Sequence, residues 1–326
     1  MDEDPVPGED NGFELLHLAL SDLRREIRSR SSARCETRGS EKIAAEFDWQ
    51  RAFDELRHRL GTFGMVERSG DVDEFGMDDV SLARSRTLLD FLMDRYWRVE
   101  VQGFDAIESG RPNLLVANRS GLLPYDGVML SHAIERWHPL HRRPRFLVAD
   151  WLITLPFAQP YLARLGGVRA CRENADRLLR TGHSVIAFPE GVKGAAKVFA
   201  ERYRLKRFGR GGVIRAAVEN RVPLVPVGIV GAEEAHPILF KSGLPARALG
   251  LPFVPVTPTF PLLGPLGLLP LPTKWIISVG APIPLDDLDV DSLDDELLLS
   301  RLTEELRGRI QELVSEALEQ RASAWD

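Results

Sequence analysis

Beyond Arg98 the sequence alternates short apolar runs with segments of helical period, and this alternation narrows the fold more than any other feature of the chain. Strands are expected at 98–101, 113–117, 145–149, 184–188, 224–230 and 275–279. Helices are expected between them, at 126–137, 157–165, 172–181 and 212–220. Strands that alternate with helices return the chain parallel to itself, so the expected fold is an α/β sandwich with a largely parallel sheet. Two of the apolar runs break on turns of distinctive composition. One is Asn118-Arg119-Ser120-Gly121, which leads through Pro124 into a helix beginning at Tyr125 or Asp126; the other is Phe188-Pro189-Glu190-Gly191. In open α/β sheets, ligands bind outside the carboxyl ends of strands, which makes these two turns the first candidates for a site.

The flanks have a different character. Residues 1–97 read as an acidic, proline-containing leader followed by amphipathic helices at 13–30, 41–60 and 81–96. The last of these carries Leu88, Leu89, Leu92, Met93 and Tyr96 on one side. The central domain is expected at 98–285. Residues 286–326 form an acidic linker with seven carboxylates (286–296) and a final helix whose apolar face is Leu298, Leu302, Leu306, Ile310 and Leu313. The N-terminus inverts the basic-then-apolar order of a signal peptide. Residues 248–273 carry no charge and are long enough to span a membrane, but they hold seven prolines. At about 3 kcal/mol for each proline in a helix interior, a spanning helix is excluded.

With a net charge of −6, the 326-residue chain is a poor candidate for nucleic-acid binding. Its two cysteines, Cys35 and Cys171, suggest neither a disulfide framework nor a metal site and suit a reducing compartment. The histidines at 132, 138, 141, 183 and 236 lack ligand spacing, so no metal is expected. Ser120 lies outside any G-x-S-x-G elbow, and no G-x-x-x-x-G-K-[ST] nucleotide loop is present. One stretch opposes the acidic balance. Lys193, Lys197, Arg202, Arg204, Lys206, Arg207 and Arg210 stand against a single acid, Glu201, with Phe199, Tyr203, Leu205 and Phe208 interleaved. It reads either as a surface for anionic headgroups or coenzyme A phosphates, or as a solvated loop whose aromatics reach the core.

Four blocks in order, N-R-S-G-L-L-P-Y-D-G (118–127), G-G-V-R-A-C-R-E-N-A (166–175), F-P-E-G-V-K-G (188–194) and V-P-L-V-P-V-G-I-V-G-A-E-E (222–234), resemble the glycerophospholipid acyltransferase superfamily, in particular a bacterial lysophosphatidate acyltransferase-like branch. The resemblance covers roughly residues 70–285. It implies transfer of an acyl chain from a thioester, either acyl-CoA or an acyl carrier protein, to a glycerolipid hydroxyl, with no other cofactor. The partners it implies are a lysophospholipid acceptor and an anionic membrane surface. The expected location is peripheral, on the cytoplasmic face of the membrane, without a transmembrane helix; the oligomeric state stays open. By the same resemblance Arg119 and Asp126 occupy the catalytic positions. Ser120, Gly121, Arg169, Phe188, Pro189, Glu190, Gly191 and Lys193 occupy substrate-binding ones, with Arg169 and Lys193 suited to a phosphate and Arg172 less well placed. Residues 248–273 become either a flap at the membrane, a wall of an acyl-chain tunnel, or a crossover buried on the domain.

The chain departs from the family's pattern at its central position. Where the family has a histidine that takes the proton of the attacking hydroxyl, this sequence has Arg119, and a guanidinium is never free to accept a proton. Three readings follow from the sequence. The chain is a non-catalytic lipid- or acyl-CoA-binding relative; or another base serves, such as Asp126, His132 or His183; or Arg119 and Asp126 form an ion pair that braces the turn.

Overall fold

The computed structural model describes residues 72–121, 123–138, 143–153, 158–242, 246, 252–285 and 288–325. The helices expected at 13–30 and 41–60, together with Cys35 and His141, lie outside these residues. In chain order the main elements are α1 (Asp79–Phe91), β1 (Glu100–Gln102), β2 (Leu114–Ala117), α2 (Tyr125–Trp137), β3 (Arg145–Val148), α3 (Gln159–Arg164), β4 (Gly167–Arg169), α4 (Arg172–Arg180) and β5 (Val185–Ala187). There follow α5 (Gly191–Ala195), α6 (Gly212–Asn220), β6 (Leu224–Val230), β7 (Phe240–Ser242), β8 (Val254–Val256), β9 (Ile276–Val279) and α7 (Glu296–Gln320).

Seven strands form one sheet in the order β1-β9-β6-β2-β5-β3-β4. Five of them, β6, β2, β5, β3 and β4, run parallel, as the alternation predicts. The β9 strand enters antiparallel to β6 and carries β1 parallel to itself. Every residue of β2, β5, β6 and β9 is buried, because helices cover both faces of the sheet. One face packs Leu178, Ile214, Leu306, Ile310 and Val314 from α4, α6 and α7. The other packs Leu89, Met129, Leu130, Trp97 and Trp275, with the two indoles stacked at 4.5 Å.

The sequence did not disclose β4, a three-residue strand containing Gly167 and Arg169, because it has no apolar run and exists only through its register with Phe146–Val148. The strands β7 and β8 form a separate antiparallel pair, with β8 inside the uncharged 248–273 segment and β7 just before it. Leu89 of α1 and Met93 of the helical turn that follows it (Leu92–Tyr96) are buried as expected, but Leu88 is exposed. In α7 the buried stripe is Leu299, Thr303, Leu306, Ile310, Val314 and Ala317; Leu306 and Ile310 are buried as expected, while Leu298, Leu302 and Leu313 are half-buried at its flank. Thr303 tolerates burial because its hydroxyl donates to the Leu299 carbonyl at 2.7 Å.

The helix that presents the first motif is anchored by charge. On α2, Glu135 accepts from Arg143 at 2.6 Å and stands beside His132. Burial raises the pKa of its carboxyl, but His132 and Arg143 outweigh this and bring it from the ordinary 4.5 to about 2. A lowered folded-state pKa contributes stability above the unfolded value and loses it as the pH falls through the folded one. The difference in urea midpoint between the native chain and Glu135→Gln is therefore expected to be full near pH about 6 and to shrink toward zero by pH about 2. A difference independent of pH would mean that Glu135 acts through packing.

Candidate active site

The two motif turns meet because β2 and β5 are neighbours in the sheet. Leu114 pairs with Val185 and Val116 with Ala187, so both strands end at the same edge and Asn118 and Phe188 leave it together. Asn118 extends the ladder with its side chain. Its amide accepts from the Ile229 N–H at 2.7 Å and donates to the Ile229 carbonyl at 2.9 Å, pinning the turn to β6.

Arg119 and Asp126 form a buried ion pair, Nη1 to Oδ1, with Asp126 fully enclosed. The remaining capacity of the carboxylate is also used, by the N–H of Ser120 (2.9 Å), the N–H of Gly127 (2.8 Å) and the Ser120 hydroxyl (3.3 Å). Its place in the first turn of α2 suits a negative charge. Complete burial pushes the Asp126 carboxyl up, while the Arg119 guanidinium and the two backbone N–H groups pull the other way. No lone pair of Asp126 is left to take a proton from an incoming hydroxyl.

Glu190 holds the second turn to the first. Its Oε1 accepts from the Arg119 N–H at 2.8 Å and its Oε2 from the Lys206 N–H at 2.7 Å, with Lys197 Nζ at 3.4 Å. Lys197 donates in turn to Glu233 at 2.7 Å, and Glu233 accepts from the Tyr203 N–H. Gly194 must be glycine here, because a Cβ would come within 2.6 Å of the Glu190 Cβ and 2.8 Å of the Arg119 Cβ. The Glu190 side chain is wholly buried, so it organises the two turns and does not reach a substrate head group.

A cavity of about 410 Å³ opens at this edge. Leu114, Leu147, Ala149, Trp151 and Ala187 give it an apolar wall, and Arg119, Phe188, Pro189 and Gly191 supply the motif side. The Arg119 guanidinium lies 5.2 Å from the Phe188 ring centroid, and its N–H groups other than the one on Asp126 have no partner among the described residues. Along Phe208–Gly211 the cavity borders a second of about 880 Å³, which shares Arg210 and Arg215 and adds Lys193, Arg207, Glu296 and Glu304. Lys193, Arg210 and Arg215 make no ion pair among the described residues, whereas Glu304 is held by Arg307 at 2.9 Å. An apolar chamber with one buried cation thus lies beside a polar groove rich in cations.

The expected site residues do not all converge. Ser120 holds Asp126, and Gly121 lies beside a small cavity lined by Lys197, Glu233 and His236. Arg169, expected to bind phosphate, is exposed, tied to Asp150 at 2.9 and 3.0 Å, and not among the residues that line the cavity. Arg172, three residues on at the start of α4, lines the cavity instead and pairs with Glu219. The basic run also divides. Lys197 is buried against Glu233, Arg202 faces Glu234 and Lys206 faces Glu201, while Tyr203, Leu205 and Phe208 sit in the core. Of that run, Lys193, Arg207 and Arg210 border the groove.

Neither alternative histidine reaches the site. His132 contacts Asp90 of α1 at 2.8 Å, and His183 lies at the opposite end of β5, beside Asn113. The histidine beside the motif turn is His236, whose ring stacks on Tyr125 at 5.7 Å and whose Nε2 is 2.7 Å from the Leu268 carbonyl. Burial lowers its pKa. Nothing in the sequence around His236 signalled this proximity; it follows from the strand order.

Residues 98–230 match the family model described as acyltransferase. The chain is 45% identical over 260 residues to the uncharacterized protein Rv0502 of Mycobacterium tuberculosis, covering 79% of this chain and 70% of that one. It is 44% identical over 260 residues to the uncharacterized protein ML2427 of Mycobacterium leprae, covering 79% and 69%. Among solved structures it is similar to the 1-acyl-sn-glycerophosphate acyltransferase of Thermotoga maritima, at 20% identity and a TM-score of 0.44 over 86% of each chain.

Proposed function

Since this chain belongs to the acyltransferase family, the glycerophospholipid acyltransferase superfamily, we propose that it transfers a fatty acyl chain from a thioester of coenzyme A or acyl carrier protein to the hydroxyl of a lysophospholipid or related glycerolipid, working peripherally at the inner membrane face. The observation that carries this reading is the apolar cavity of about 410 Å³ that ends on both motif turns, with an open cationic groove beside it. A chamber of this size and lining suits an acyl chain, and the groove suits the phosphates that a thioester donor or a lysophospholipid brings.

In the reaction the acceptor oxygen attacks the thioester carbonyl carbon, the carbon–sulfur bond breaks, and the acceptor proton ends on the departing thiolate. Arg119 takes no part as a base. Its N–H groups without a partner among the described residues are suited to the carbonyl oxygen as that oxygen gains negative charge, a role worth about 10²–10³ in rate where such donors have been removed from other enzymes. Asp126 fixes the guanidinium, and Glu190 fixes the backbone on either side. Turnover without a histidine base is expected to be slow.

The Arg119–Asp126 ion pair favours a second reading, a protein that binds acyl-CoA or lysolipid without turnover. Thiol release from acyl-CoA by the purified chain, with and without lysophosphatidate and other lysolipids, separates the two. Acceptor-dependent release that Arg119→Ala abolishes supports transfer. Binding without release supports the second reading. The groove has its own test: Arg210→Glu with Arg215→Glu is expected to raise the donor KM by about tenfold with kcat little changed. An unchanged KM would place the donor's phosphates elsewhere.

A further inference from the structure

Resting on the reading that the acceptor is a membrane lipid, we propose that residues 238–242 and 252–273 carry the surface by which this chain docks onto a bilayer with anionic headgroups. Among the described residues, none of this segment lines the cavity of about 410 Å³. Nor is the segment a buried crossover. Leu262 is 85% exposed, and Leu239, Phe240, Leu263, Leu266 and Leu269 each expose half or more of their surface. These six side chains sit on one tied substructure. The Leu239 N–H donates to Val256, β7 pairs with β8, the Thr259 hydroxyl donates to Gly267 at 2.9 Å, and His236 holds the Leu268 carbonyl. Gly267 packs so closely on the Thr259 carbonyl that a Cβ would come within 2.4 Å of it, so the leucines around this turn are held outward by a compact backbone.

Charge selects the occupant. Between Glu234 and Asp286 the sequence has no acidic residue and carries Lys241, Arg247 and Lys274, although the chain as a whole has a net charge of −6. Lys274 is held by Glu100, and Lys241 of β7 is exposed beside Phe240. Fixed leucines and a phenylalanine with an exposed lysine and no acid in their own segment, on an acidic protein, match the acyl boundary and phosphate layer of an anionic leaflet. The surface is also close to the site. Ile238 and His236 border the small cavity that Gly121 lines, so docking here would bring the first motif turn near the lipid plane.

The test is co-sedimentation of the full chain with phosphatidylglycerol/phosphatidylcholine vesicles and with phosphatidylcholine vesicles alone. The native chain is expected to bind the anionic vesicles more tightly, and Leu262→Glu with Leu266→Glu to weaken that binding at least about tenfold. Because both leucines are exposed, the thermal midpoint should not move, and thiol release toward detergent-dispersed lysolipid should stay native. Native-like vesicle binding by the double variant would overturn the proposal. So would a double variant that converts a native dimer to a monomer, which would make a second copy the occupant. Vesicle binding without any thiol release would leave this surface standing and sink acyl transfer alone; release in detergent without vesicle binding would do the reverse.

Discussion

Asp126→Ala is expected to lower the folding stability by about 3–5 kcal/mol, the range for removing one partner of a buried ion pair. In a domain of this size that corresponds to a fall in melting temperature on the order of 10 °C. The loss follows from what is left behind. Arg119 would remain as an uncompensated buried cation, and the N–H groups of Ser120 and Gly127 would lose their acceptor. The double variant Arg119→Met, Asp126→Ala should recover much of the loss, because no unpaired charge then remains. Thermal or urea unfolding of the two single variants and the double one measures this coupling. A loss below about 1 kcal/mol in Asp126→Ala would mean that water reaches the pair and screens it as it does a surface bridge.

Arg119→His is expected to act on rate more than on stability. Asp126 would then hold an imidazole, and a group that titrates near neutrality would stand where the cavity meets the motif turn. General-base catalysis is typically worth about 10²–10⁴ in rate, so acceptor-dependent thiol release should rise by at least about 10²-fold over the native chain. The rate should also rise with pH as the imidazole loses its proton. A rate that falls instead would show that the guanidinium contributes more to the native reaction than a base can restore. No release from either chain, with acyl-CoA still bound, would leave the binding protein as the surviving reading.

The sequence was informative wherever a feature is local. Apolar runs buried on both faces had to be strands, and the turns that end them had to face one edge if the strands were parallel neighbours. Arg119 in place of a base was legible at once, because side-chain chemistry needs no coordinates. The division of the cations was not legible. Arg169 ends β4, at the edge of the sheet, and turns out to Asp150, while Arg172 begins the next helix and lines the cavity. Two residues of chain separate them, and only the strand-to-helix turn decides which one lines the cavity.

What the sequence determined by itself is the α/β alternation, the two motif turns and the absence of a histidine between Asn118 and Ser120. Tertiary structure alone decided how those residues are used. Glu190 accepts from backbone N–H groups 71 positions before it and 16 after it, so its carboxylate holds the two turns in place. Lys197 is buried because Glu233, 36 positions on, is brought beside it by β6. Leu262, Leu263, Leu266 and Leu269 face outward because the bonds of Thr259 to Gly267 and of His236 to Leu268 tie down the turn that carries them, and no apolar pattern distinguishes an outward leucine from an inward one. Hydrogen-bond capacity and burial belong to pairs of residues distant in the chain, and the register of the sheet chooses the pairs.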